Sequence, residues 1–292
     1  MRSGLRTLGL LLALAACAVP GPRPPAAADQ GRAANAHLLV DAAWLRARLG
    51  DLGVRVVDLR APRAHAAGHV PGAVNLRVEE MDGTAVPPLE DRLGRAGIAR
   101  DHTVVLYDDQ GGLHASRLFV ALEYLGHDRV GILDGGFQAW SAAGGTLTQD
   151  PPRHPAVTYR ARPRPEVIAG KAEVLAGLGR PARVLVDARS GPEFRGQDVR
   201  AARGGHVPGA RHVEWTENLR RGSVPVWKSA AELATLYQAA GVTPDKEAVT
   251  YCQTHSRASH TYFTLRLLGY RKLKAYLGSW EEWGNDPALP VE

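Results

Sequence analysis

The sequence predicts an α/β protein of two domains in tandem, each a mainly parallel sheet flanked by helices. Three observations lead to this fold class. Four motifs occur twice in the same order, short apolar strands alternate with helical patterns within each copy, and a Pro-rich stretch separates the copies. With 292 residues and 45% hydrophobic content, the chain is long enough to bury two cores of ordinary size.

Four blocks of sequence make up the repeat. In chain order they are an apolar strand ending in Asp-x-Arg, a Gly-His-Val-Pro-Gly-Ala segment, a second apolar strand, and a Leu-Gly motif followed by a turn that contains Gly and Trp. They lie at residues 54–60, 68–73, 103–108 and 125–140 in the first copy, and at residues 184–189, 205–210, 247–252 and 268–283 in the second. Two copies are too few for a solenoid, and each is large enough to fold alone.

The second copy illustrates the alternation of strands and helices. We expect strands at residues 184–187, 248–251 and 273–276, a helix at residues 230–240, and an amphipathic run at residues 259–268. This order predicts a mainly parallel sheet with helices on its faces. Such sheets place ligands at the carboxyl ends of their strands, which is where Cys252 falls.

The repeat and the Pro-rich stretch set the domain boundaries. We predict a leader and tether over residues 1–34, a first domain over residues 35–149, a linker over residues 150–165, and a second domain over residues 166–292.

The first residues have the pattern of a secretion signal. Arg2 and Arg6 form a positive segment, and residues 8–16 are an uninterrupted run of small and apolar side chains. The run is too short for a membrane-spanning helix, which needs about 20 apolar residues. We therefore expect an exported protein in the periplasm or cell envelope.

Two processing outcomes remain open for this leader. Leu14-Ala15-Ala16-Cys17 resembles the lipobox of bacterial lipoproteins, so Cys17 is predicted to carry a lipid and to be the first mature residue. Residues 18–34 would then be a tether, and the lipid would be the only contact with a membrane. The alternative is ordinary cleavage after Ala28.

The charge pattern narrows the class of partner. The formal net charge is +6, and the arginines that produce it are spread along the chain. This favours an anionic substrate only weakly. The sequence contains no basic stripe, zinc finger or stacking-aromatic motif, so we do not expect nucleic-acid binding.

The cysteine count points to one reactive thiol. The chain contains only Cys17 and Cys252, and an exported protein usually pairs its cysteines. If Cys17 is lipidated or removed, Cys252 has no disulfide partner, and we predict that it is a nucleophile. The alternative is a small buried core residue.

The six residues from Cys252 to Arg257 form the candidate active-site loop, between a strand and a helix expected to begin near Ala258. Such a loop can turn its backbone N–H groups and the helix N-terminus toward one anionic sulfur, which lowers the pKa of a thiol. His255 and Arg257 are predicted to add positive charge, unless they are ordinary solvated loop residues. Gln253, Thr254 and Ser256 complete the predicted substrate-binding loop.

On these motifs the chain resembles the tandem-domain rhodanese family, the thiosulfate and 3-mercaptopyruvate sulfurtransferases. Both Gly-His-Val-Pro-Gly-Ala blocks look like the amino-terminal signature of the family, and residues 277–284 look like its carboxy-terminal signature. The resemblance covers about residues 38–287. It implies that an inactive first domain packs on an active second one, with the site between them. Asp108 agrees with this, because it occupies the position that Cys252 fills in the second copy.

The resemblance also implies a reaction. A small anionic donor such as thiosulfate would give its outer sulfur to Cys252, and cyanide or a thiol would then remove it, with no metal or organic cofactor. By its place in the Asp-x-Arg motif, Arg189 matches an arginine that binds the anionic substrate in the family. The alternative is that Arg189 pairs with a carboxylate such as Glu193.

Four other side chains near the motifs are given expected roles. Asp187 looks structural, and Arg195 is expected to assist Arg189. Trp215 and Trp227 either wall the cleft or belong to the core.

Three other functions compete with this reading. Phosphatases of the cell-cycle type have five residues between their Cys and Arg, whereas four separate Cys252 from Arg257. Mercaptopyruvate enzymes typically carry a Cys-Gly-Ser/Ala-Gly-Val-Thr loop. The loop here departs from that pattern, which favours thiosulfate as the sulfur donor. It also lacks the Arg/Lys-rich loop of the best-known thiosulfate enzymes. The third is a non-catalytic carrier that holds a persulfide on Cys252 for a partner.

Overall fold

The computed structural model describes residues 33–81 and 84–292. The predicted secretion signal, the lipobox at Cys17 and the competing cleavage site after Ala28 lie outside the described residues. No helix in the described part of the chain has the length and apolar content needed to cross a membrane.

The first domain is a five-stranded parallel sheet with helices around it. Its strands are β1 (Leu39–Val40), β2 (Val54–Asp58), β3 (Val74–Asn75), β4 (Thr103–Tyr107) and β5 (Val130–Leu133), in the spatial order β1-β5-β4-β2-β3. Its helices are α1 (Ala42–Arg46), α2 (Pro62–Ala67), α3 (Val86–Arg95), α4 (Leu113–Tyr124) and α5 (Gly136–Ala142). The strands β2 and β4 are buried along their whole length, which explains their continuous apolar sequence.

The second domain repeats this plan with four parallel strands. These are β6 (Arg183–Asp187), β7 (Arg211–His212), β8 (Glu247–Tyr251) and β9 (Leu273–Ala275), in the order β7-β6-β8-β9. Its helices are α6 (Lys171–Ala176), α7 (Gly191–Phe194), α8 (Ala230–Ala239), α9 (Ser256–Leu267) and α10 (Ser279–Trp283). The predicted fold class of two mainly parallel α/β units is confirmed.

The helix after the candidate loop differs most from its predicted limits. α9 begins at Ser256, three residues before the amphipathic run expected at residues 259–268 and two before Ala258. His255 precedes it with a φ of 63°, in the left-handed region. The turn from strand to helix is therefore completed within three residues after Cys252, which keeps the loop short.

Residues 150–164 contain no helix or strand but follow the surface of the first domain. The backbone N–H groups of Val157, Arg162 and Arg164 donate to carbonyls of Gly94, Leu125 and Tyr124. Tyr159 is buried, and its hydroxyl contacts the His127 ring at 3.1 Å. The segment between the two domains is thus held against one of them.

The two domains share one hydrophobic core. Helices α4 and α9 pack against each other, with Phe119 and Phe263 in edge-to-face contact at 4.9 Å between ring centroids. Trp227, from the second domain, is fully buried against Gly112 of the first. A side chain at Gly112 would collide with the indole of Trp227. The φ of Gly112, +88°, also favours glycine at this position. Trp227 is therefore a core residue.

Candidate active site

Cys252 lies directly after β8, at the carboxyl end of the sheet. It is 1% exposed and is packed by Ala188, Ala258 and the half-buried ring of Trp215. Its carbonyl accepts a hydrogen bond from the backbone N–H of Trp280 at 2.9 Å. The thiol is thus enclosed by small side chains beside a single aromatic wall.

A second contact from the start of α10 holds the loop in place. The backbone N–H of Cys252 donates to the hydroxyl of Ser279 at 3.3 Å, and Ser279 in turn donates to the carbonyl of Tyr276. Ser279 and Trp280 belong to the repeated Gly- and Trp-containing turn. The motif therefore fixes the first residue of the candidate loop.

The backbone N–H groups that follow Cys252 are available to an anion. Within residues 33–81 and 84–292, no protein atom accepts a hydrogen bond from the N–H groups of residues 253–258. Several of them belong to the first turn of α9, where the positive end of the helix dipole adds to the field. The loop can therefore stabilise negative charge on a sulfur at position 252.

The first domain shows what this kind of loop binds. Asp108 follows β4 as Cys252 follows β8, and its carboxylate fills the loop. Oδ1 accepts from the N–H groups of Gln110 and Gly112 at 2.8 and 2.9 Å, and Oδ2 accepts from those of His114 and Ala115 at 2.7 and 2.9 Å. The corresponding strand, loop and helix thus surround a built-in anion with four amide donors. In the second domain, the N–H groups of residues 253–258 have no such acceptor among the described residues.

Arg257 is held beside Cys252 by a buried carboxylate. Its Nη1 and Nη2 donate to the two carboxylate oxygens of Glu193 at 2.5 and 2.8 Å. Burial alone would lower the pKa of Arg257, but the hydrogen bonds and charges of Glu193 and Cys252 raise it above its ordinary value. The guanidinium is therefore a fixed cation that reaches both Glu193 and the thiol, as the sequence predicted for its charge.

Glu193 is ionised in this arrangement. It is 1% exposed, and burial would raise its pKa, but hydrogen bonds from Arg257 and Ser190 outweigh burial and lower it to about 2. Ser190 and Glu193 form the capping box of α7. The sequence pattern indicates the cap, but gives no sign that the same carboxylate positions Arg257.

The predicted positive charge on His255 is wrong. The ring is 4% exposed and lies between the hydroxyls of Ser259, at 3.0 Å, and Thr250, at 3.4 Å. Burial, together with the nearby charge of Arg117, lowers the pKa of His255 to about 3. The imidazole is therefore neutral and braces the loop from within.

Arg189, which the resemblance predicts to bind the anionic substrate, lies in a buried ion pair. Its guanidinium is 1% exposed, donates to both oxygens of Asp187 and to the carbonyl of Gly205, and lies 4.5 Å from the ring centroid of Trp280. Asp187 is fully buried, so it needs this partner. The alternative, in which Arg189 pairs with a carboxylate, agrees with the structure, but the partner is Asp187, because Glu193 binds Arg257.

The repeat contained the signal that identifies Arg189 as structural. In the first domain, Arg60 donates to Asp58 and to the carbonyl of Gly68 in the same pattern. Because the same Asp–Arg pair occurs in the first domain, which has no cysteine in the corresponding loop, the pair stabilises the fold of both domains. As expected, Asp187 is structural.

The remaining predicted loop residues lie around the opening. Gln253 donates through Nε2 to the carbonyl of Arg200 at 3.0 Å, and Thr254 is exposed. The hydroxyl of Ser256 accepts from Nη1 of Arg117 at 2.9 Å. Arg195 is exposed and contacts Gln197, so it does not assist the buried Arg189. Arg117 was not predicted as a site residue, because it comes from the other copy.

Comparison with known proteins identifies the repeat. The model of a family described as rhodanese-like domain matches residues 41–143 and 171–286. A thiosulfate sulfurtransferase of Azotobacter vinelandii is 36% identical over 268 residues, which cover 89% of this chain and 98% of that protein. One of Pseudomonas aeruginosa is 35% identical, with coverages of 87% and 97%.

Two further relatives have other names. The sulfur carrier protein TtuD of Thermus thermophilus is 35% identical, over 88% of this chain and 97% of its own length. Among solved structures, the anaerobic ergothioneine biosynthesis enzyme from Chlorobium limicola, in complex with its natural substrate trimethyl histidine, superposes with a TM-score of 0.80 at 27% identity. The match covers 89% of this chain and 71% of that one.

Proposed function

Because the chain belongs to the rhodanese family and contains two copies of its domain, we propose that it is a thiosulfate sulfurtransferase that carries the transferred sulfur on Cys252. One observation carries the proposal most directly. In the part of the chain that the structure describes, the N–H groups of residues 253–258, which follow Cys252, have no protein acceptor, whereas the equivalent loop of the first domain is filled by the Asp108 carboxylate. The relatives named thiosulfate sulfurtransferase, which align over most of the chain, support the same reaction.

The first step loads the enzyme. The Cys252 thiolate attacks the outer sulfur of thiosulfate, a new S–S bond forms, and the S–S bond of thiosulfate breaks with its electron pair leaving on sulfite. Cys252 becomes a persulfide anion. The open N–H groups and the Arg257 guanidinium are placed to stabilise this charge as it moves to the terminal sulfur.

The second step returns the enzyme to its starting state. A cyanide carbon or a thiolate sulfur attacks the terminal sulfur, and the electron pair of the broken bond returns to the Cys252 thiolate. The products are thiocyanate or a persulfide of the acceptor. Because sulfite leaves before the acceptor enters, kinetics of the ping-pong type follow from this scheme.

Mass spectrometry of the intact protein tests the loading step. Wild type incubated with thiosulfate and then freed of it should gain the mass of one sulfur atom on the peptide that contains Cys252, and cyanide should remove it. Cys252→Ser should gain nothing. A wild type that remains unmodified by thiosulfate but is loaded by 3-mercaptopyruvate would replace the proposed donor with that alternative.

A persulfide carrier is the second candidate. Cys252 is 1% exposed, which restricts access to its sulfur, and one relative is named a sulfur carrier protein. A carrier should be loaded by thiosulfate yet transfer sulfur to cyanide and small thiols only slowly. Rapid multiple turnover with small acceptors would argue against it.

We also propose that the protein is exported and anchored by a lipid on Cys17. The support is the positive segment, apolar run and Leu-Ala-Ala-Cys sequence of the leader. In a bacterial host, wild type should incorporate labelled fatty acid and sediment with membranes, and Cys17→Ala should do neither. An unlabelled mature protein that begins at Asp29 would instead support ordinary cleavage after Ala28.

A further inference from the structure

His260 is a buried side chain, bound at both ring nitrogens, that the proposed reaction does not use. It is the fifth residue of α9 and is fully buried. Its Nε2 lies 3.1 Å from the carbonyl of Gly111, so this nitrogen carries the proton and donates. Its Nδ1 then accepts from Nδ2 of Asn218 at 3.2 Å. Burial lowers the pKa of His260 to about 3, so the ring is neutral and its orientation is fixed.

The carbonyl that holds His260 belongs to the first domain. It is part of the peptide unit between Gly111 and Gly112, and the N–H group of the same unit donates to Oδ1 of Asp108 at 2.9 Å. Hydrogen bonds at the two ends of one peptide group strengthen each other. The Asp108 carboxylate therefore orients the group that holds His260, which links the loop of the first domain to α9 of the second.

His260 is also connected to the aromatic wall beside Cys252. The rings of His260 and Trp215 are in edge-to-face contact, with 5.2 Å between centroids and 69° between planes. Asn218, a partner of His260, is the last residue of the short 3₁₀ turn that begins at Trp215. His260 thus contacts the indole directly, and through Asn218 it holds the backbone turn that carries the indole.

The other neighbours of His260 fix its ring in one position. The indole of Trp227 stacks on it, with 4.5 Å between centroids and 1° between planes. Asn218 is fully buried, and its Oδ1 accepts from the hydroxyl of Tyr237 at 2.8 Å. Among these named residues, Trp215 is the one that is partly exposed. The network is therefore rigid on its buried side and presents the Trp215 ring toward the site.

Trp215 borders the sulfur that an acceptor has to reach. Cys252 is 1% exposed, and it packs with Trp215 and the small side chains of Ala188 and Ala258. An aromatic wall that is held still excludes acceptors by size, whereas one that can turn away admits larger ones. Cyanide is a small linear ion and fits a narrow approach better than a peptide thiol does. The position of Trp215 therefore bears on the choice of acceptor.

We infer that His260 is a positioning residue that holds Trp215 beside Cys252 and so favours small acceptors over bulky thiols in the second step. It acts through Trp215 and does not touch the reacting sulfur. The inference rests on the proposed function and deepens it, because it concerns the class of acceptor. It also gives the first domain a part in acceptor choice, since the Gly111 carbonyl fixes the His260 ring.

The test uses the full chain, loaded with sulfur by thiosulfate and then freed of thiosulfate. Loss of the persulfide is followed in a single turnover, with cyanide as the small acceptor and glutathione as the bulky thiol. His260→Phe keeps a ring but removes both hydrogen bonds, and His260→Gln can keep the donor to Gly111. His127→Phe is the matched control, because His127 is a buried, neutral histidine of the first domain that is also bound at both ring nitrogens.

We expect His260→Phe to raise the rate constant for glutathione, relative to that for cyanide, about tenfold, the scale on which a pocket discriminates by size. His260→Gln should raise this ratio less, because it retains one of the two hydrogen bonds. His127→Phe should leave the ratio at the wild-type value, even where it lowers the melting temperature by as much as His260→Phe.

A double-mutant cycle with Trp215→Ala separates this role from a general loss of structure. Trp215→Ala removes the wall and should by itself raise the ratio of the two rate constants. In that background, His260→Phe should raise the ratio no further, because the residue through which His260 acts is gone. Its cost in melting temperature should remain.

Three outcomes would overturn the inference while leaving the proposed function in place. One is a wild-type ratio in a folded His260→Phe or His260→Gln protein, and another is a wild-type ratio in Trp215→Ala. The third is an effect of His260→Phe that persists undiminished in the Trp215→Ala background, because His260 would then act by another route. A wild type that thiosulfate does not load with sulfur would overturn the proposed function and this inference with it.

Discussion

Glu193 connects the cap of a short helix to the charge beside the reactive sulfur. Its carboxylate closes the α7 capping box and binds Arg257 through two hydrogen bonds. An Asn or Gln at such a position can accept a hydrogen bond but cannot balance the guanidinium charge. One buried residue thus determines both a local helix start and the position of a cation at the site.

Replacing Glu193 should change the pH dependence of stability. The folded-state pKa of about 2 lies below the ordinary value of 4.5, so the ionised carboxylate stabilises the fold above pH 4.5, and this contribution is lost as the pH falls toward 2. The difference in free energy of unfolding between wild type and Glu193→Gln should be constant at neutral pH and shrink in acid. Chemical denaturation at a series of pH values measures it, and a difference independent of pH in this window would contradict the assignment.

Arg189 should behave as a structural residue. Removing one partner of a buried ion pair leaves the other charge uncompensated, so Arg189→Met should lower the free energy of unfolding by about 3–5 kcal/mol. Arg60→Met, the equivalent change in the first domain, is the matched variant and should cost a similar amount. Urea denaturation measures both. If Arg189→Met is as stable as wild type and only the KM for thiosulfate rises, Arg189 binds substrate after all.

At the scale of one residue, the sequence identifies which side chains matter better than it identifies their partners. Cys252 and Arg257 are brought together because four residues of a strand-to-helix turn separate them, which is local information. The partners of Arg189 and His255 depend on how deeply these side chains are buried, and burial cannot be predicted from the neighbouring sequence alone. The duplicated Asp58–Arg60 pair was the one available clue to the role of Arg189.

The strand, loop and helix that follow β4 and β8 form the element shared by both domains. In the first domain the Asp108 carboxylate satisfies four backbone donors. In the second, the same kind of loop is left open for the sulfur of Cys252. The element therefore provides an anion site in either domain, and the residue after the strand decides whether a fixed or a transferable anion fills it.

Removing the Asp108 carboxylate should destabilise the protein and create a vacant anion site. Buried donors left without a partner cost about 1–3 kcal/mol, so Asp108→Ala should lower the free energy of unfolding by at least this amount. Asp109→Ala, at the exposed neighbouring position, is the control. Added sulfate should stabilise Asp108→Ala more than it stabilises wild type or Asp109→Ala. Equal stabilisation of all three proteins by sulfate would contradict a specific site.

The strands expected at residues 184–187, 248–251 and 273–276 agree to within one residue at each end with β6, β8 and β9, because these strands are short, apolar and mostly buried. The start of α9 was predicted too late. The residue that precedes it, His255, adopts a left-handed φ that is uncommon for a non-glycine residue, and sequence patterns give little warning of such a conformation. The loop is consequently shorter than expected.

The whole molecule depends on an interface between the domains that the resemblance implies but whose contacts the sequence did not reveal. The repeat predicts two similar domains, but the α4–α9 packing and the burial of Trp227 arise only when the two copies meet. Trp227 donates its backbone N–H to the Asp134 carboxylate of the first domain at 3.0 Å and its indole N–H to Thr264 at 3.0 Å. A tryptophan from one domain thus connects both.

Asp134 should make the stability of this interface depend on pH. Burial raises its pKa to about 6, although the N–H groups of Trp227 and Gly135 oppose the shift. The folded state therefore holds the proton more tightly than the unfolded state, and the stability contribution is lost as the pH rises from about 4 to about 6. Asp134→Asn should remove this dependence and be at least as stable as wild type at pH 8. Thermal unfolding across this range measures the effect, and identical profiles for the two proteins would contradict it.

In the proposed reaction, sulfur passes through Cys252. The most direct test is thiocyanate formation from thiosulfate and cyanide by the purified protein, compared with Cys252→Ser. We predict turnover by wild type, parallel lines in double-reciprocal plots at varied thiosulfate and cyanide, and no turnover by the folded variant. Turnover that persists in Cys252→Ser, or intersecting lines that require both substrates to be bound together, would contradict the account.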